Sequence, residues 1–391
     1  MNKIEKSTNS NSKNQLKNTS KTKLNEAFSE NPAFLKEQII TYLGNKRALL
    51  SFLKQGFDFA KNELKLKKLK FVDVFSGSGI VSRFAKAHSS MIFTNDLEDY
   101  SKIINECYLS NKSEILDEKI AFYHQKLYEN LRLQRGFISE LYAPFDEENI
   151  KEGERVFYTP ENAMFLDTMR QKISQIVPVN LHPFFIAPLI YEASVHSNTG
   201  GVFKGFYKDK NGLGKFGGSA ENALKRIKGK IKLLKPVFSN FKCEFNTLQK
   251  DALILAKELD SLDLAYLDPP YNQHPYSSNY FMLNLIVNYQ RPTEISRVSG
   301  IAKGWNKSAF NSPKMAEEAL FELIFTLRAK IILLSYSCEG FVKKESFEKK
   351  LATLGKCFVL EQDYPTFRAS RNLKARPIKV KEQLYILVKN Q

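Results

Sequence analysis

Cysteine is scarce in this chain of 391 residues. Its four cysteines are far apart, and none forms the short-spaced pair that is typical of a metal site: Cys107, Cys243, Cys338 and Cys357. We therefore expect free thiols, no disulfide framework and no bound metal, as is usual in a reducing cytoplasm.

Long apolar runs are also missing. No stretch approaches the ~20 apolar residues that a membrane-spanning helix needs, and the N-terminus has no apolar segment after its charges that would make a signal peptide. We expect a soluble, cytoplasmic protein with no membrane partner. Hydrophobic residues make up 43% of the chain, which is enough to bury a substantial core.

Acidic residues are fewer than basic ones, 42 against 59, and the net charge is +17. In the first 23 residues only Glu5 opposes six lysines, which are Lys3, Lys6, Lys13, Lys17, Lys21 and Lys23. Subtracting this excess of 5 leaves about +12 for the remainder, so the body of the protein is itself basic. This charge favours a polyanionic partner, although lysine-rich composition alone does not prove nucleic-acid binding.

A glycine-rich turn follows the first predicted strand. Residues 71–75 are mostly apolar and run into Ser76-Gly77-Ser78-Gly79, after which Ile80 to Ala87 reads as a helix. Such a turn lets the backbone approach a cofactor closely. A second strand ends at Asp96, where an acid would meet a ribose in a nucleotide-type fold. The turn lacks the third glycine of a dinucleotide site and the Lys-Ser/Thr of a P-loop, so neither is well supported.

A second motif, Asp268-Pro269-Pro270-Tyr271, ends the apolar stretch 264–267. The exocyclic amine of a nucleobase is a poor nucleophile, and the Asp268 carboxylate can accept its hydrogens. The fixed φ of the two prolines can direct a main-chain carbonyl to the same place, and Tyr271 offers a flat face on which a base can stack. The alternative is a strand-terminating turn followed by a rim aromatic.

Together these segments resemble a known family. The glycine turn and the Asp-Pro-Pro-Tyr motif resemble the pairing found in amino-methyltransferases of DNA that use S-adenosylmethionine. Thr41 to Arg47 resembles the additional cofactor-side motif of the Dam-like adenine-N6 group, the D12 class. The order of the motifs matches the alpha arrangement, and the resemblance extends over residues 35 to 390.

The resemblance implies an α/β, Rossmann-like methyltransferase fold, with a mostly parallel sheet, an antiparallel edge hairpin and an inserted target-recognition domain. It implies S-adenosylmethionine as cofactor and the catalytic residues Asp268, Pro269, Pro270 and Tyr271. The implied cofactor-binding residues are Tyr42, Lys46, Asp73, Phe75, Gly77, Gly79, Asp96 and Asp251. Tyr42 and Lys46 would line the methionine end of the pocket; Asp251 would lie near the cofactor adenine, although it could equally be an ordinary helix N-cap.

Four segments are predicted. Residues 1–32 form a disordered basic tail, 33–128 the first part of the catalytic domain, 129–235 the inserted DNA target-recognition domain and 236–391 the second part of the catalytic domain. Within the first part, Lys119 to His124 is interpreted as a strand. The insertion is predicted because strand-helix alternation breaks down there and periodicity is poor.

The stretch from Lys204 to Lys235 is the most basic in the chain, with ten lysines or arginines against two acids, an excess of eight. Its glycines predict a turned loop, followed by a helix from Ala220 that would present Lys225, Lys228 and Lys232 on one face. The predicted DNA-binding residues are Lys204, Lys208, Lys215, Lys225, Arg226, Lys228 and Lys232. The alternative is a solvated, lysine-rich helix. Residues 291–307 and a basic turn near Arg371 are further candidates for phosphate contact.

We therefore predict methylation of adenine N6 in a specific double-stranded DNA sequence, with base flipping. The enzyme would be a monomer and would protect DNA from a cognate restriction endonuclease. An N4-cytosine enzyme is the nearest alternative, but that group more often carries Ser in place of Asp268. RNA adenine methylation, a catalytically silent DNA-binding module and a nicotinamide oxidoreductase also remain open.

Overall fold

In the computed structural model the described residues are 29–218, 221, 223–365 and 379–390. Most of the predicted N-terminal tail lies outside them, as do the arginines and lysine of the predicted basic turn near Arg371. Residues 30 and 31, which the predicted boundary assigns to the tail, make hydrogen bonds within the described part of the chain. Glu30 accepts a hydrogen bond from the backbone N–H of Asn240 at 3.0 Å, and Asn31 caps the first helix by accepting from Ala33 N at 3.1 Å.

The described strands form one seven-stranded sheet in the order β3-β2-β1-β4-β5-β7-β6. Their bounds are β1 Leu69–Asp73, β2 Ser89–Asn95, β3 Glu244–Leu248, β4 Leu262–Leu267, β5 Ala329–Ser337, β6 Gly355–Pro365 and β7 Lys379–Lys389. The pairs among β1 to β5 are parallel, whereas β7 is antiparallel to both β5 and β6. The predicted mixed sheet with an antiparallel edge hairpin is confirmed.

Helices connect these strands. In chain order they are α1 Pro32–Lys36, α2 Leu50–Leu64, α3 Ile80–Ala85, α4 Asp99–Tyr108, α5 Glu114–Tyr128, α6 Phe137–Tyr142, α7 Pro160–Ile176, α8 Pro183–Val195, α9 Leu224–Ile227, α10 Ala252–Glu258, α11 Tyr276–Asn279, α12 Phe281–Asn288, α13 Ala316–Thr326 and α14 Lys344–Leu351. Short 3-10 turns cover Lys46–Leu49, Val179–Leu181 and Ala309–Asn311.

Both faces of the sheet are buried, which explains why its central strands are almost wholly apolar. Successive side chains of a strand point to opposite faces. Phe71 of β1 and Tyr266 of β4 therefore pack against α2 and α3 on one face. Val72 and Ala265 pack against α10, α13 and α14 on the other face. Two helical layers thus fix the positions of the strand ends.

A third hydrophobic cluster joins residues 137–195 to the flanking helices. It includes Tyr100 of α4, Met169 of α7, Phe185 of α8 and Ile286 of α12, all fully buried. Helix α4 packs directly against α8 and α12. The division of the chain at residues 128 and 235 stays a prediction.

The predicted strand at Lys119 to His124 is wrong, because these residues lie within helix α5. Ser113 caps that helix by accepting a hydrogen bond from Leu116 N at 3.2 Å. The buried residues Ile120 and Leu127 lie seven positions apart, which puts both on the inner face of a helix.

Two features are absent from the described residues. None of their helices is both long enough and apolar enough to cross a membrane. In the same parts of the chain, no group of three or more His, Cys, Asp or Glu side chains could hold a metal ion.

Candidate active site

A cleft with an empty volume of about 870 Å³ lies where the carboxyl ends of β1, β2 and β4 meet. The order of the strands reverses between β1 and β4, and open α/β sheets bind ligands at such a switch point. The segments after these three strands and the turn at Lys46–Leu49 all contribute to the lining.

The glycine turn forms one wall of the cleft. Gly77 has φ +48° and Gly79 has φ +74°, both in the left-handed region that favours glycine. A methyl group at Gly77 would lie 3.0 Å from the Tyr42 ring, and one at Gly79 would lie 3.0 Å from Ile104 and Asn105. Glycine is therefore required at both positions, by conformation and by space.

Asp73 ends β1 inside the cleft, and it is 1% exposed. Its Oδ2 accepts a hydrogen bond from the Ser82 hydroxyl at 2.7 Å. Its Oδ1 is buried and has no hydrogen-bond partner within the described part of the chain. Burial, aided by the charges of Asp268 and Asp96, raises the pKa of Asp73 to about 7. A buried carboxylate oxygen without a partner is costly, so this oxygen is poised for a cationic ligand group.

Two acids follow β2. Asp96 accepts hydrogen bonds from Gly77 N at 2.8 Å and from Glu98 N at 3.1 Å. Glu98, which is 4% exposed, accepts from the Asn284 amide at 2.6 Å. Burial raises the pKa of Asp96 to about 6, and burial together with the Asp96 charge raises that of Glu98 to about 8. At neutral pH the pair therefore presents both an acceptor and a protonated donor to the cleft.

Asp268 follows the last residue of β4 and shares a lysine with a second acid. Lys46 Nζ lies 3.1 Å from Asp268 Oδ1 and 2.8 Å from Glu382 Oε1. Burial lowers the pKa of Lys46, but the two carboxylates more than offset this and hold the pKa well above its usual value. Burial and the Glu382 charge raise the pKa of Asp268 to about 6 against the opposing effect of Lys46.

A group of tyrosines borders the site. Tyr42 stacks with Tyr276, at a ring separation of 5.0 Å, and with Tyr280, at 4.7 Å, and those two rings are 6.0 Å from each other. The Tyr280 hydroxyl accepts from Leu43 N at 2.6 Å, which fixes the segment before Lys46. Burial raises the pKa of the Tyr271 hydroxyl to about 12, so this group is protonated at neutral pH.

Most of the predicted site residues line this cleft: Tyr42, Lys46, Asp73, Phe75, Gly77, Asp96, Asp251, Asp268 and Pro270. Gly79, Pro269 and Tyr271 do not line it, although the Tyr271 hydroxyl lies 3.8 Å from where a methyl group at Gly44 would be. Asp251 also has the alternative N-cap role, because its side chain accepts from Leu253 N at 2.8 Å.

Comparison with known proteins agrees with this geometry. Residues 42–326, almost three quarters of the chain, match the model of the D12 class of N6 adenine-specific DNA methyltransferases. The chain belongs to this family. The matched span runs from Tyr42 past the Asp268 motif, so it includes both walls of the cleft.

Relatives of this D12 methyltransferase include the type II methyltransferase M.CviAII of Paramecium bursaria Chlorella virus 1. It is 28% identical over 338 residues, which cover 84% of this chain and 93% of the relative. The type II methyltransferase M.NlaIII of Neisseria lactamica is 28% identical over 361 residues, 90% of this chain and 99% of the relative. The type II methyltransferase M.FokI of Planomicrobium okeanokoites is 27% identical over 329 residues, 80% of this chain but 47% of the relative.

Family membership confirms the predicted fold, adenine-specific DNA methylation, S-adenosylmethionine as cofactor and DNA as substrate. The cleft fits that cofactor chemically. The unpartnered Asp73 Oδ1 suits an ammonium group, the Asp96 and Glu98 pair suits hydroxyl groups, and the glycine turn leaves room for a close approach.

The lysine-rich segment begins beside the Asp268 motif. Phe203 N donates to Asn279 O of α11 at 2.7 Å. The pKa of His274 is lowered by burial and by the positive charge of Lys204, so these two side chains are close. Lys204, Lys208, Lys225, Lys228 and Lys232 are exposed, and Lys215 is half-buried. The exposed lysines are therefore accessible to solvent, and their contact with DNA stays a prediction.

Two expectations about this segment need correction. Helix α9 covers only Leu224–Ile227, so Lys228 and Lys232 lie beyond it and no common helix face exists. The guanidinium of Arg226 points inward and donates to the carbonyls of Val195, Ser197 and Thr199. The Arg226 side chain thus binds backbone carbonyls at and just after the C-terminus of α8, and its guanidinium does not face solvent.

Sequence reasoning did not identify Glu98, Asn306 and Glu382. Glu98 and Asn306 line the cleft, and Asn306 donates to Leu97 O at 2.8 Å. Glu98 had a signal in the sequence, since it follows Asp96 by two positions at a strand end. Glu382 had none, because its approach to Lys46 depends on the pairing of β7 with β5.

Proposed function

We propose that this D12 methyltransferase modifies adenine within one short double-stranded sequence, and that it does so with the cleft between β1 and β4. The observation that supports this most is the presence of the glycine turn, Asp73 and Asp268 in one pocket. A DNA-binding module without catalytic activity would not require the glycine turn and the two acids to share a pocket.

S-adenosylmethionine, when bound, supplies a methyl group on a positively charged sulfur that is a good leaving group. In our proposal Asp73 Oδ1 would hold the ammonium group of its methionine portion, because that oxygen is buried and has no other partner among the described residues. Asp96 and Glu98, which line the cleft, would hold the ribose hydroxyls, and Asp251 would face the adenine. Tyr42 packs against Gly77 and closes the wall of the pocket.

The target adenine has to leave the duplex to reach Asp268, as for other enzymes that modify bases. In the proposed mechanism Tyr271 stacks on the flipped base and the Asp268 carboxylate accepts a hydrogen of its N6 amine. This acceptance concentrates the lone pair on nitrogen and stabilises the positive charge that grows there. Because the pKa of Asp268 is about 6, the carboxylate is ionised at and above neutral pH. The proton leaves N6 during or after transfer.

The proposed DNA surface is the exposed lysine set of residues 204–232 without Arg226. In this proposal Lys204, next to Phe203 that bonds α11, would contact phosphate beside the cleft, and the exposed Lys208, Lys225, Lys228 and Lys232 would extend the positive surface. Lysine contacts with phosphate give affinity without base selection. Residues 291–307 border the same entrance: Tyr142 donates to Gly300 O at 2.8 Å and holds that loop in place.

The relatives M.CviAII and M.NlaIII are type II methyltransferases by name. We infer from this similarity that the present enzyme also works within a restriction-modification pair, in the cytoplasm and as a monomer. A cognate endonuclease would then be its functional partner without any need for physical contact.

The test is to express the protein in a host without DNA methylation and to sequence the host DNA by a method that registers modified adenines. We expect every modified adenine to lie in one short shared sequence, and DNA so modified to resist an endonuclease that cuts at that sequence. Modified adenines without a common sequence would contradict the proposal.

A further inference from the structure

Glu382 is a buried acid that neither the family motifs nor the cleft lining accounts for. It lies in β7 and is 5% exposed. Its Oε1 lies 2.8 Å from Lys46 Nζ, and Asp268 Oδ1 lies 3.1 Å from the same atom; among the described residues the Glu382 contact is an ion pair without hydrogen-bond geometry. A buried charge without a partner is expensive, so three charges gathered here call for an explanation.

The fold holds Glu382 firmly. Strand β7 is paired on both sides, with Ser337 of β5 opposite Glu382 on one side and Gln362 of β6 on the other. Lys46 opens a 3-10 turn that Asn45 caps by accepting from Arg47 N at 2.7 Å. Neither backbone can shift to relieve the charge cluster without breaking these hydrogen bonds.

The charges do not cancel. One lysine between two carboxylates leaves a net charge of −1 when both acids are ionised. With Glu382 absent, Lys46 would pair with Asp268 alone and would neutralise it. A carboxylate that is fully paired with a lysine is a weaker acceptor for a further hydrogen-bond donor.

We propose that Glu382 is a positioning residue that holds the Lys46 ammonium group and thereby leaves Asp268 a net negative acceptor for the N6 hydrogens. This inference rests on the proposed role of Asp268. It explains why the second acid is the nearer partner of Lys46. Glu382 itself does not touch the substrate in this account; it acts through Lys46.

Other groups around Asp268 do not replace this effect. The titratable side chains that face it from the neighbouring elements are Lys46, Asp73, Tyr266, Tyr271, Tyr276 and Glu382. Burial raises the pKa values of the three tyrosines, so they are neutral at neutral pH. Asp73 is held by Ser82. Glu382 is the acid in contact with Lys46 besides Asp268.

The test compares Glu382→Gln with Glu382→Asp, which keeps the charge, and with Glu361→Gln. Glu361 is an exposed carboxylate on the neighbouring strand β6, so its variant controls for changes in the hairpin. For each protein, kcat is measured from pH 5 to pH 9 at saturating DNA and saturating S-adenosylmethionine, so that the pH dependence of cofactor binding does not contribute. Cofactor affinity by calorimetry and the melting temperature are measured beside it.

We expect kcat to fall by about tenfold in Glu382→Gln. Ionised Asp268 is the active form, so the rate is lost as the pH falls through its pKa. Removing the Glu382 charge lowers that pKa, and the acid limb of the profile therefore moves to lower pH by about one unit. In Glu382→Asp the acid limb of the pH profile is expected to stay at the wild-type pH. In Glu361→Gln kcat is expected to equal that of the wild type.

If the acid limb of the kcat profile lies at the same pH in Glu382→Gln as in the wild type, the inference is overturned. Failure of Glu382→Gln to fold or to bind the cofactor would overturn it also, because the side chain would then serve stability. Both results leave the proposed function standing if the wild-type enzyme produces N6-methyladenine. Absence of that product from the wild type would instead reject the proposed function.

Discussion

The floor of the cleft and the lysine-rich surface differ in how their charges are held. Asp73 and Lys46 in the floor and Glu382 behind Lys46 are at most 5% exposed, and each is fixed by a paired strand or a capped turn. On the surface, Lys228 Nζ lies 3.5 Å from an oxygen of Glu147, and both side chains are more than a third exposed. Exposed pairs of this kind contribute little energy.

Substitutions in the two regions are therefore expected to have different effects. A buried group acts through geometry, and its loss leaves a partner unpaired at high cost. A surface lysine acts through its charge, and its loss is partly made good by its neighbours and is masked by salt. Single substitutions in the cleft are therefore expected to be severe, and those on the surface small and additive.

The largest effect is expected for Asp268→Ala. Removal of the acceptor should lower the rate of methyl transfer by at least about a thousandfold, while DNA affinity stays within about twofold of the wild type because the lysines remain. Transfer of labelled methyl groups and a DNA-binding titration measure the two quantities. Asp260→Ala is the control, since that side chain is 87% exposed before β4. Retained turnover in Asp268→Ala would refute the assigned role.

A smaller loss is expected for Asp73→Asn. Without the carboxylate, S-adenosylmethionine should bind about thirtyfold more weakly, as for a lost hydrogen bond between charged groups. In the wild type the ionised form of Asp73 binds the ammonium group, so affinity should fall as the pH drops below about 7, the pKa of this acid. Calorimetry over pH 6 to 8 measures both effects. A pH-independent affinity that Asp73→Asn leaves unchanged would assign the ammonium group to another acceptor.

On the surface, replacing Lys225, Lys228 and Lys232 together by Ala should weaken DNA binding by about tenfold at physiological salt. The slope of log affinity against log salt should become shallower by about two to three, because each phosphate contact contributes about 0.9. Catalysis at saturating DNA should not change. If the slope keeps its wild-type value, these lysines face only solvent.

Arg226→Gln should distinguish a buried structural role from phosphate binding within the lysine-rich segment. Loss of its bonds to Val195, Ser197 and Thr199 should lower the free energy of unfolding by about 2 kcal/mol. The salt slope of DNA binding should remain that of the wild type. Lys225→Gln is the matched control, expected to leave stability unchanged in urea unfolding. The reverse pattern would show that Arg226 binds phosphate.

Much of the fold and of the cleft could be predicted because both depend on local sequence. The apolar strands before Asp73 and Asp268, and the glycines that need positive φ, leave direct traces in the residue order. Parallel strands bring their carboxyl ends together, so acids at those ends meet without further information.

The rest depends on tertiary contacts that leave no local trace. Glu382 reaches Lys46 only through the pairing of β7 in the sheet. Arg226 looked like any other basic residue, and its inward bonds depend on carbonyls at the end of α8. The predicted helix was wrong in its extent, because composition shows charge but not where a helix stops: it ends at Ile227, and Ala220 lies outside the described residues. The roles of the individual site residues stay predictions.

The most direct measurement is mass spectrometry of nucleosides from the DNA of a methylation-free host that expresses either this enzyme or its Asp268→Ala variant. Our account predicts N6-methyladenine with the intact enzyme and none with the variant. N4-methylcytosine, no modified base with the intact enzyme, or N6-methyladenine with both proteins would contradict the claim that Asp268 directs methyl transfer to adenine in this cleft.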